Sequence, residues 1–203
     1  MSLKLYYSPG ACSLSPHIVL HEAGLAHETV LASLQSHKLQ DGVDYYNVNP
    51  LGYVPFLVLD SGETLHEGPA IVQYLADLAP EKKLAPPNGA MARYHLQEWL
   101  NFIGTEVHKG FGPLFSSATP EEYRASTIQR LLKRLEWVDG ELKGKSYLLG
   151  DFSVADAYLF TVTNWTQMVK VDISHLANIA AFRERMLARP AVQAAMKAEG
   201  LTK

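Results

Sequence analysis

Leu3-Lys4-Leu5-Tyr6-Tyr7-Ser8-Pro9-Gly10-Ala11-Cys12-Ser13-Leu14-Ser15-Pro16-His17-Ile18-Val19-Leu20-His21-Glu22-Ala23-Gly24 is the stretch whose reading decides the fold. Leu3–Tyr7 reads as a strand that Pro9-Gly10 stops. Residues 13–23 then read as a helix, with Ser13 or Ser15 as N-cap, Pro16 in the first turn and Gly24 past the end. His27–Leu31 reads as a second strand. Residues 55–60 and Thr64-Leu65 flank Asp60-Ser61-Gly62-Glu63, a hairpin turn signal. Residues 68–78 form a helix, since Ile71, Tyr74, Leu75 and Leu78 recur at helical spacing. The order β-α-β, then a hairpin, then α predicts a small α/β domain with a mixed sheet over residues 1–80.

The chain changes character after that. Residues 81–87 read as a linker between Pro80 and the Pro86-Pro87 pair. Residues 88–203 carry almost no strand signal and are expected to form an all-helical domain. A long helix over 90–109 presents Tyr94, Leu96, Trp99, Leu100, Phe102, Ile103 and Val107 as a broad apolar face. Thr119-Pro120-Glu121-Glu122 opens the next helix, with Thr119 as N-cap and acids in the first turn, and it runs to Leu142. Ser153 and Asp156 have the spacing of a capping box, so they are structural. A further helix spans 176–188, halted by Arg189-Pro190.

The chain has 203 residues, 47% hydrophobic, with 18 Lys and Arg against 21 Asp and Glu, a net charge of -3. That balance argues against nucleic acid as a partner, because phosphate-backbone binders concentrate positive charge. The single Cys excludes an internal disulfide framework and any Cys-pair zinc site, and it suits a reducing, cytoplasmic compartment. The amino terminus lacks a signal-peptide core, and no run of about 18 apolar residues is present to span a membrane.

Cys12 follows a strand and a tight turn, where a helix begins. Unpaired N–H groups and the positive helix end favour a thiolate there. A lone Cys equally reads as a small buried hydrophobe. Cys12 and Ser15 have the spacing of a redox Cys-x-x-Cys pair with the second thiol replaced, so a mixed disulfide can form but no internal one. Val54-Pro55 opens the third strand; a trans strand start is the ordinary local reading, a cis-proline the functional one. Glu67-Gly68 starts a helix whose free N–H groups can bind a carboxylate. His108-Lys109 reads as the polar end of the 90–109 helix. His17 and His21 lie four apart on a helix, but no His-Glu-x-x-His motif exists, so a solvated face and no metal are expected. Nucleotide loops and a Gly-x-Ser-x-Gly elbow are absent from the sequence.

These stretches together resemble one family. Tyr6-Tyr7-Ser8-Pro9-Gly10-Ala11-Cys12-Ser13-Leu14 resembles the amino-terminal signature of beta-class glutathione S-transferases, a bacterial group. The segment from Asn49 through Leu57 resembles the family's cis-proline segment, and that from Glu67 through Leu75 its glutathione-binding helix start. Glu98 through Ile103 and Glu106 through Phe111 resemble the beta-class active-site helix. Phe152 through Phe160 resembles the capping-box helix.

The resemblance implies a thioredoxin-like amino-terminal domain followed by an all-helical domain, assembled as a homodimer. It implies a glutathione transferase that conjugates the glutathione thiolate to hydrophobic electrophiles, with glutathione as co-substrate and no cofactor. Cys12 would lie beside the glutathione sulfur and form a mixed disulfide with it. His108, an imidazole poised near neutral pH, would activate or orient that sulfur across the domain cleft. Val54, ahead of Pro55, would pair its backbone with the cysteinyl part, and Glu67 and Gly68 would hold the γ-glutamyl end. Asn101 and Lys109 would add polar contacts, and Glu106 of the other subunit would approach the amino end. Tyr7 matches the superfamily's catalytic Tyr, on which this class does not depend. Relatives often bind the glycyl carboxylate with a Lys; here His37 or Lys38 stands at that place. Relatives usually carry a Ser where this chain has Gly68. Phe111, Phe115 and Trp165 are candidate walls of the electrophile pocket. A thiol-disulfide oxidoreductase or peroxidase working through Cys12, and a non-catalytic binding protein, are the alternative readings.

Overall fold

The computed structural model describes residues 3–202. The chain divides into two compact units, one running up to Ala85 and resuming at Arg189, the other formed by Pro86–Ala188.

The first unit is built on a four-stranded sheet. Its strands are β1 (Leu3–Tyr7), β2 (His27–Leu31), β3 (Phe56–Val58) and β4 (Thr64–Leu65), in the order β2-β1-β3-β4. β1 pairs in parallel with β2, Leu5 opposite Thr29, and antiparallel with β3, Leu5 opposite Leu57. β3 and β4 form the expected hairpin. Period-2 alternation places Leu3, Leu5 and Tyr7 on one face of β1. The helix α1 (Leu14–Ala23) packs beside α2 (Gly68–Asp77). Leu14, Ile18, Val19 and Leu20 of α1 are all fully buried. Gly24 ends α1 at φ 66°, where its N–H reaches the His21 carbonyl, a helix stop that glycine adopts without side-chain penalty.

The residues from Arg189 onward join this unit rather than the helical one. A helix α8 (Pro190–Ala198), absent from the sequence reading, packs against α1. Arg189 binds Glu22 through two nitrogens, at 2.6 and 3.0 Å. Glu199 takes the Gly10 N–H at 2.9 Å and pairs with His17 at 2.8 Å. The helical unit therefore ends near Ala188 and not at the carboxy terminus. The expectation of a solvated face for His17 and His21 is also corrected: His17 is 1% exposed, because α8 covers that side of α1.

The second unit contains α3 (Met91–Phe102), a π-helical segment (Ile103–His108), α4 (Lys109–Phe115), α5 (Glu121–Leu142), α6 (Val154–Met168) and α7 (Ala177–Leu187). The helix predicted to end at Lys109 continues to Phe115. His108 is thus mid-helix and not at a carboxy-terminal end. α6 is buried on nearly every side and touches α3, the π-helical segment and α7, the behaviour of a helix apolar all round. Two predicted caps are not made. Ser13 exchanges hydrogen bonds with the Ser8 backbone, and Thr119 donates to the Pro113 carbonyl at 2.6 Å. The Ser153–Asp156 pair does form. Fully buried Asp156 accepts from the Ser153 N–H at 2.8 Å, the Ser153 hydroxyl at 2.9 Å and the Leu148 N–H at 2.9 Å.

Candidate functional site

In the first unit, three segments converge. Cys12 sits in the turn between β1 and α1 and donates its S–H to the Val54 carbonyl at 3.1 Å. The Val54-Pro55 bond is cis, the functional reading and not the ordinary strand start. Pro55 in turn lies against Gly68, with its Cγ 3.8 Å from where a Gly68 Cβ would stand. Cys12, the Val54 backbone and the α2 amino end are therefore one contiguous surface.

Two buried side chains hold this segment, and the sequence reading missed their role. The Tyr45 hydroxyl and the Asn49 amide both donate to the Tyr53 carbonyl, at 2.9 and 2.8 Å. Asn49 also accepts the Leu51 N–H. Burial pushes the Tyr45 pKa up to about 12, partly opposed by the Asn49 bond, so the phenol stays a neutral donor. Asn49 opens the stretch that resembles the family's cis-proline segment, but nothing in the sequence marks Tyr45 or the carbonyl that both hold.

Glu67 precedes α2 with φ at 65°, a conformation a non-glycine residue holds at a cost of order 1–3 kcal/mol. Such outliers cluster where a ligand is gripped. Of the two candidates for the glycyl carboxylate, Lys38 is exposed, while the His37 ring stacks on Tyr46 with centroids 4.6 Å apart. The His37 Nδ1 is buried and has no hydrogen-bond partner among the described residues. It lies 3.1 Å from where a Cβ on Gly52 would stand, two residues before Val54. Tyr7 is turned toward other company. Its ring meets His17 at 5.8 Å, and burial followed by the Glu199 charge raises its pKa. An ionised Tyr7 nucleophile or base is disfavoured there.

In the second unit, His108 closes the π-helical segment. Such segments insert an extra residue per turn and recur at functional sites. Its Nδ1 lies 2.6 Å from the Tyr158 hydroxyl, and its ring meets Trp165 edge-on at 4.8 Å. Burial, and then the Lys109 charge, lower its pKa to about 4. The expectation of an imidazole titrating near neutral pH is therefore corrected: the ring is neutral at pH 7. A phenol O–H is a stronger donor than an imidazole N–H, so Tyr158 donates to Nδ1 and the Nε2 carries the proton. His108 is then a hydrogen-bond donor at Nε2.

Around His108 the aromatic residues divide by depth. Trp165 packs edge-on to Phe111 at 5.6 Å and Phe115 at 5.5 Å. Phe111 is fully buried and belongs to the core, whereas Phe115 is 49% exposed. Asn101 and Lys109 are exposed. Glu106 is engaged within its own chain, accepting from Arg134 Nε at 2.6 Å. Among the described residues no helix is long and apolar enough to cross a membrane.

A thioredoxin-like unit with a cis-proline beside a lone thiol, joined to a helical unit, defines a glutathione-transferase architecture. Residues 10–78 match the glutathione S-transferase N-terminal domain, and residues 102–190 match the C-terminal domain. Glutathione S-transferase GstA of Escherichia coli O157:H7 is 50% identical over 200 residues, covering 98% of this chain and 100% of that protein. A solved ternary complex of BphK, a bacterial GST, is 56% identical with a TM-score of 0.95, covering 98% of this chain and 100% of that one. A beta-class enzyme from Sphingomonas chungbukensis is 46% identical with a TM-score of 0.94, over the same shares. The chain belongs to the glutathione S-transferase family, and its likenesses place it with the bacterial beta class.

Proposed function

We propose that the protein transfers glutathione to hydrophobic electrophiles and that Cys12 and His108 divide the work. The observation that carries this reading is the Cys12 thiol on the Val54 carbonyl, beside the cis-proline and the open helix start at Gly68. In this reading the tripeptide's cysteinyl part pairs with the Val54 backbone. Its γ-glutamyl carboxylate meets the N–H groups at Glu67-Gly68, where the helix dipole favours negative charge. His37 faces the glycyl carboxylate in preference to Lys38. Asn101 and Lys109 add polar contacts, and the protein works as a cytoplasmic homodimer with no cofactor beyond glutathione as co-substrate. Glu106 is free for the partner subunit only if Arg134 releases it.

The glutathione thiol gives up its proton to water, and its sulfur forms a bond to the electrophilic carbon as the leaving group departs. The neutral His108 Nε2–H donates to the thiolate and so favours it, each unit of thiol pKa being worth about 1.4 kcal/mol. Phe115 and Trp165 are the apolar surface for the electrophile, with Phe111 supporting them from below. Cys12 attacks oxidised glutathione, forming a Cys12–glutathione disulfide and releasing one reduced glutathione.

The test measures conjugation of a chloro-nitro aromatic and exchange with oxidised glutathione on Cys12→Ala and His108→Ala. Cys12→Ala is expected to lose the mixed disulfide, seen as one adduct by intact mass in the parent, and to keep conjugation. His108→Ala is expected to lose conjugation by about 10²-fold, the low end for an assisting group at the reacting atom. Loss of all conjugation in Cys12→Ala with none in His108→Ala would overturn the division.

A further inference from the structure

Three histidines meet on the side of α1 that faces β2 and α8. His17 and His21 are one turn apart on α1, and His27 opens β2. One ring nitrogen from each lies within 4.8 Å of those from the other two. His17 and His21 stack with centroids 5.2 Å apart, and His27 stands edge-on to both, at 5.7 and 5.1 Å.

The tautomers follow from the partners. His17 Nδ1 is 2.8 Å from the Glu199 carboxylate, and His27 Nδ1 is 2.8 Å from the Leu25 carbonyl. These oxygens only accept, so each Nδ1 carries a hydrogen, and in the neutral ring Nε2 is the nitrogen left with a lone pair to ligate. The His21 Nε2 is shielded from solvent and has no hydrogen-bond partner among the described residues. A carboxylate and a carbonyl on the far nitrogens are the supports that orient histidines around a metal and raise their basicity.

We propose that His17, His21 and His27 bind one divalent transition-metal ion, zinc best, through their Nε2 atoms, with water at a fourth position. Three neutral imidazoles suit zinc, nickel or copper and are poor ligands for calcium or magnesium. Tetrahedral zinc with Zn–N near 2.0–2.1 Å needs its nitrogens about 3.4 Å apart, closer than the 4.8 Å within which one nitrogen of each ring lies, so the rings close inward on binding. Only His17 is fully buried; His21 and His27 are partly exposed and leave the ion a way in. The ion would join α1 to β2 directly and to α8 through Glu199. The sequence expectation of no metal rested on the absence of a linear motif, whereas these ligands come from two elements.

The experiment uses the full chain without a histidine tag, stripped with a chelator and titrated with zinc against a chromophoric competitor. One equivalent is expected, weakened at least about tenfold in His21→Gln and in His27→Gln, and unchanged in Cys12→Ser. Cobalt(II) is expected to give the visible bands of tetrahedral coordination in the parent and to lose them in both histidine variants. Conjugation by the histidine variants is expected to match the parent, since neither residue serves glutathione. His17→Gln is not used, because His17 is buried on Glu199 and its loss threatens folding. Absence of stoichiometric zinc binding, binding indifferent to both histidine variants, or binding abolished in Cys12→Ser would each overturn the proposal.

Discussion

Replacing Asp156 by Ala removes an acceptor that three donors share. The carboxylate is fully buried and takes the Ser153 N–H, the Ser153 hydroxyl and the Leu148 N–H. In the Ala variant two backbone N–H groups lose their acceptor in a region water does not reach. Each orphaned donor costs about 1–3 kcal/mol. A cap alone is worth about 1 kcal/mol, so the Leu148 bond makes this residue dearer than its motif suggests. The sum is about 3–4 kcal/mol, against a total stability of about 5–15 kcal/mol for folded domains. For a chain of this length each kcal/mol lowers Tm by about 2–4 °C, so the fall should be roughly 10 °C. Thermal unfolding followed by circular dichroism reads it directly. Asp156→Asn should fall between parent and Ala, because its oxygen still accepts while its NH2 faces another donor. The KM for glutathione of the folded fraction should be unchanged. A Tm within about 2 °C of the parent, or normal stability with lost glutathione affinity, would refute the reasoning.

Three further outcomes are expected. His108, with its pKa near 4 when folded against 6.5 when free, binds fewer protons folded than unfolded between those values, so its contribution to stability falls as pH drops through that window. At pH 5 the loss is about 2 kcal/mol, and urea midpoints of His108→Gln should show correspondingly less weakening between pH 7 and 5 than the parent's. Gly68→Ser should lower the KM for glutathione severalfold, since only Pro55 Cγ, at an ordinary 3.8 Å, meets the new Cβ; a raised KM would show that the position is closed. Gly52→Ala should lower Tm and raise the KM for glutathione, because at φ +65° the Cβ would stand 2.5 Å from the Tyr46 ring; unchanged values for both would show that the His37–Tyr46 stack does not matter.

What the sequence made legible was local. β1 and β2 have the residues expected of them, since Pro9-Gly10 and Gly24 punctuate the chain within a few positions. The hairpin and the Ser153–Asp156 pair were readable for the same reason. What escaped depends on partners far along the chain. His17 looked solvated because its partner, Glu199, lies 182 residues away. Ser13 had the right place for a cap, but the Ser8 backbone claimed its hydroxyl. The π-helical segment is too short to disturb the periodicity around it, so His108 read as a helix end. α8 begins at Pro190, which in local sequence reads only as a helix stop. At the candidate site Cys12, Val54 and Gly68 were found through their surroundings in sequence. Tyr45 and Asn49 were not, because their task is to hold a carbonyl and no reactive group marks them.

The return of the chain to its first unit has a consequence for biosynthesis. A ribosome delivers β1 through α2 first, then all of the helical unit, and only then Arg189, α8 and Glu199. Until those last residues emerge, α1 stands without the helix that covers it, Glu22 without its guanidinium and His17 without its carboxylate. The helical unit, by contrast, is contiguous and can close while synthesis continues. Folding during translation would then run backwards relative to chain order, with the later-made unit finished before the earlier one, whose nascent surface waits for chaperone cover.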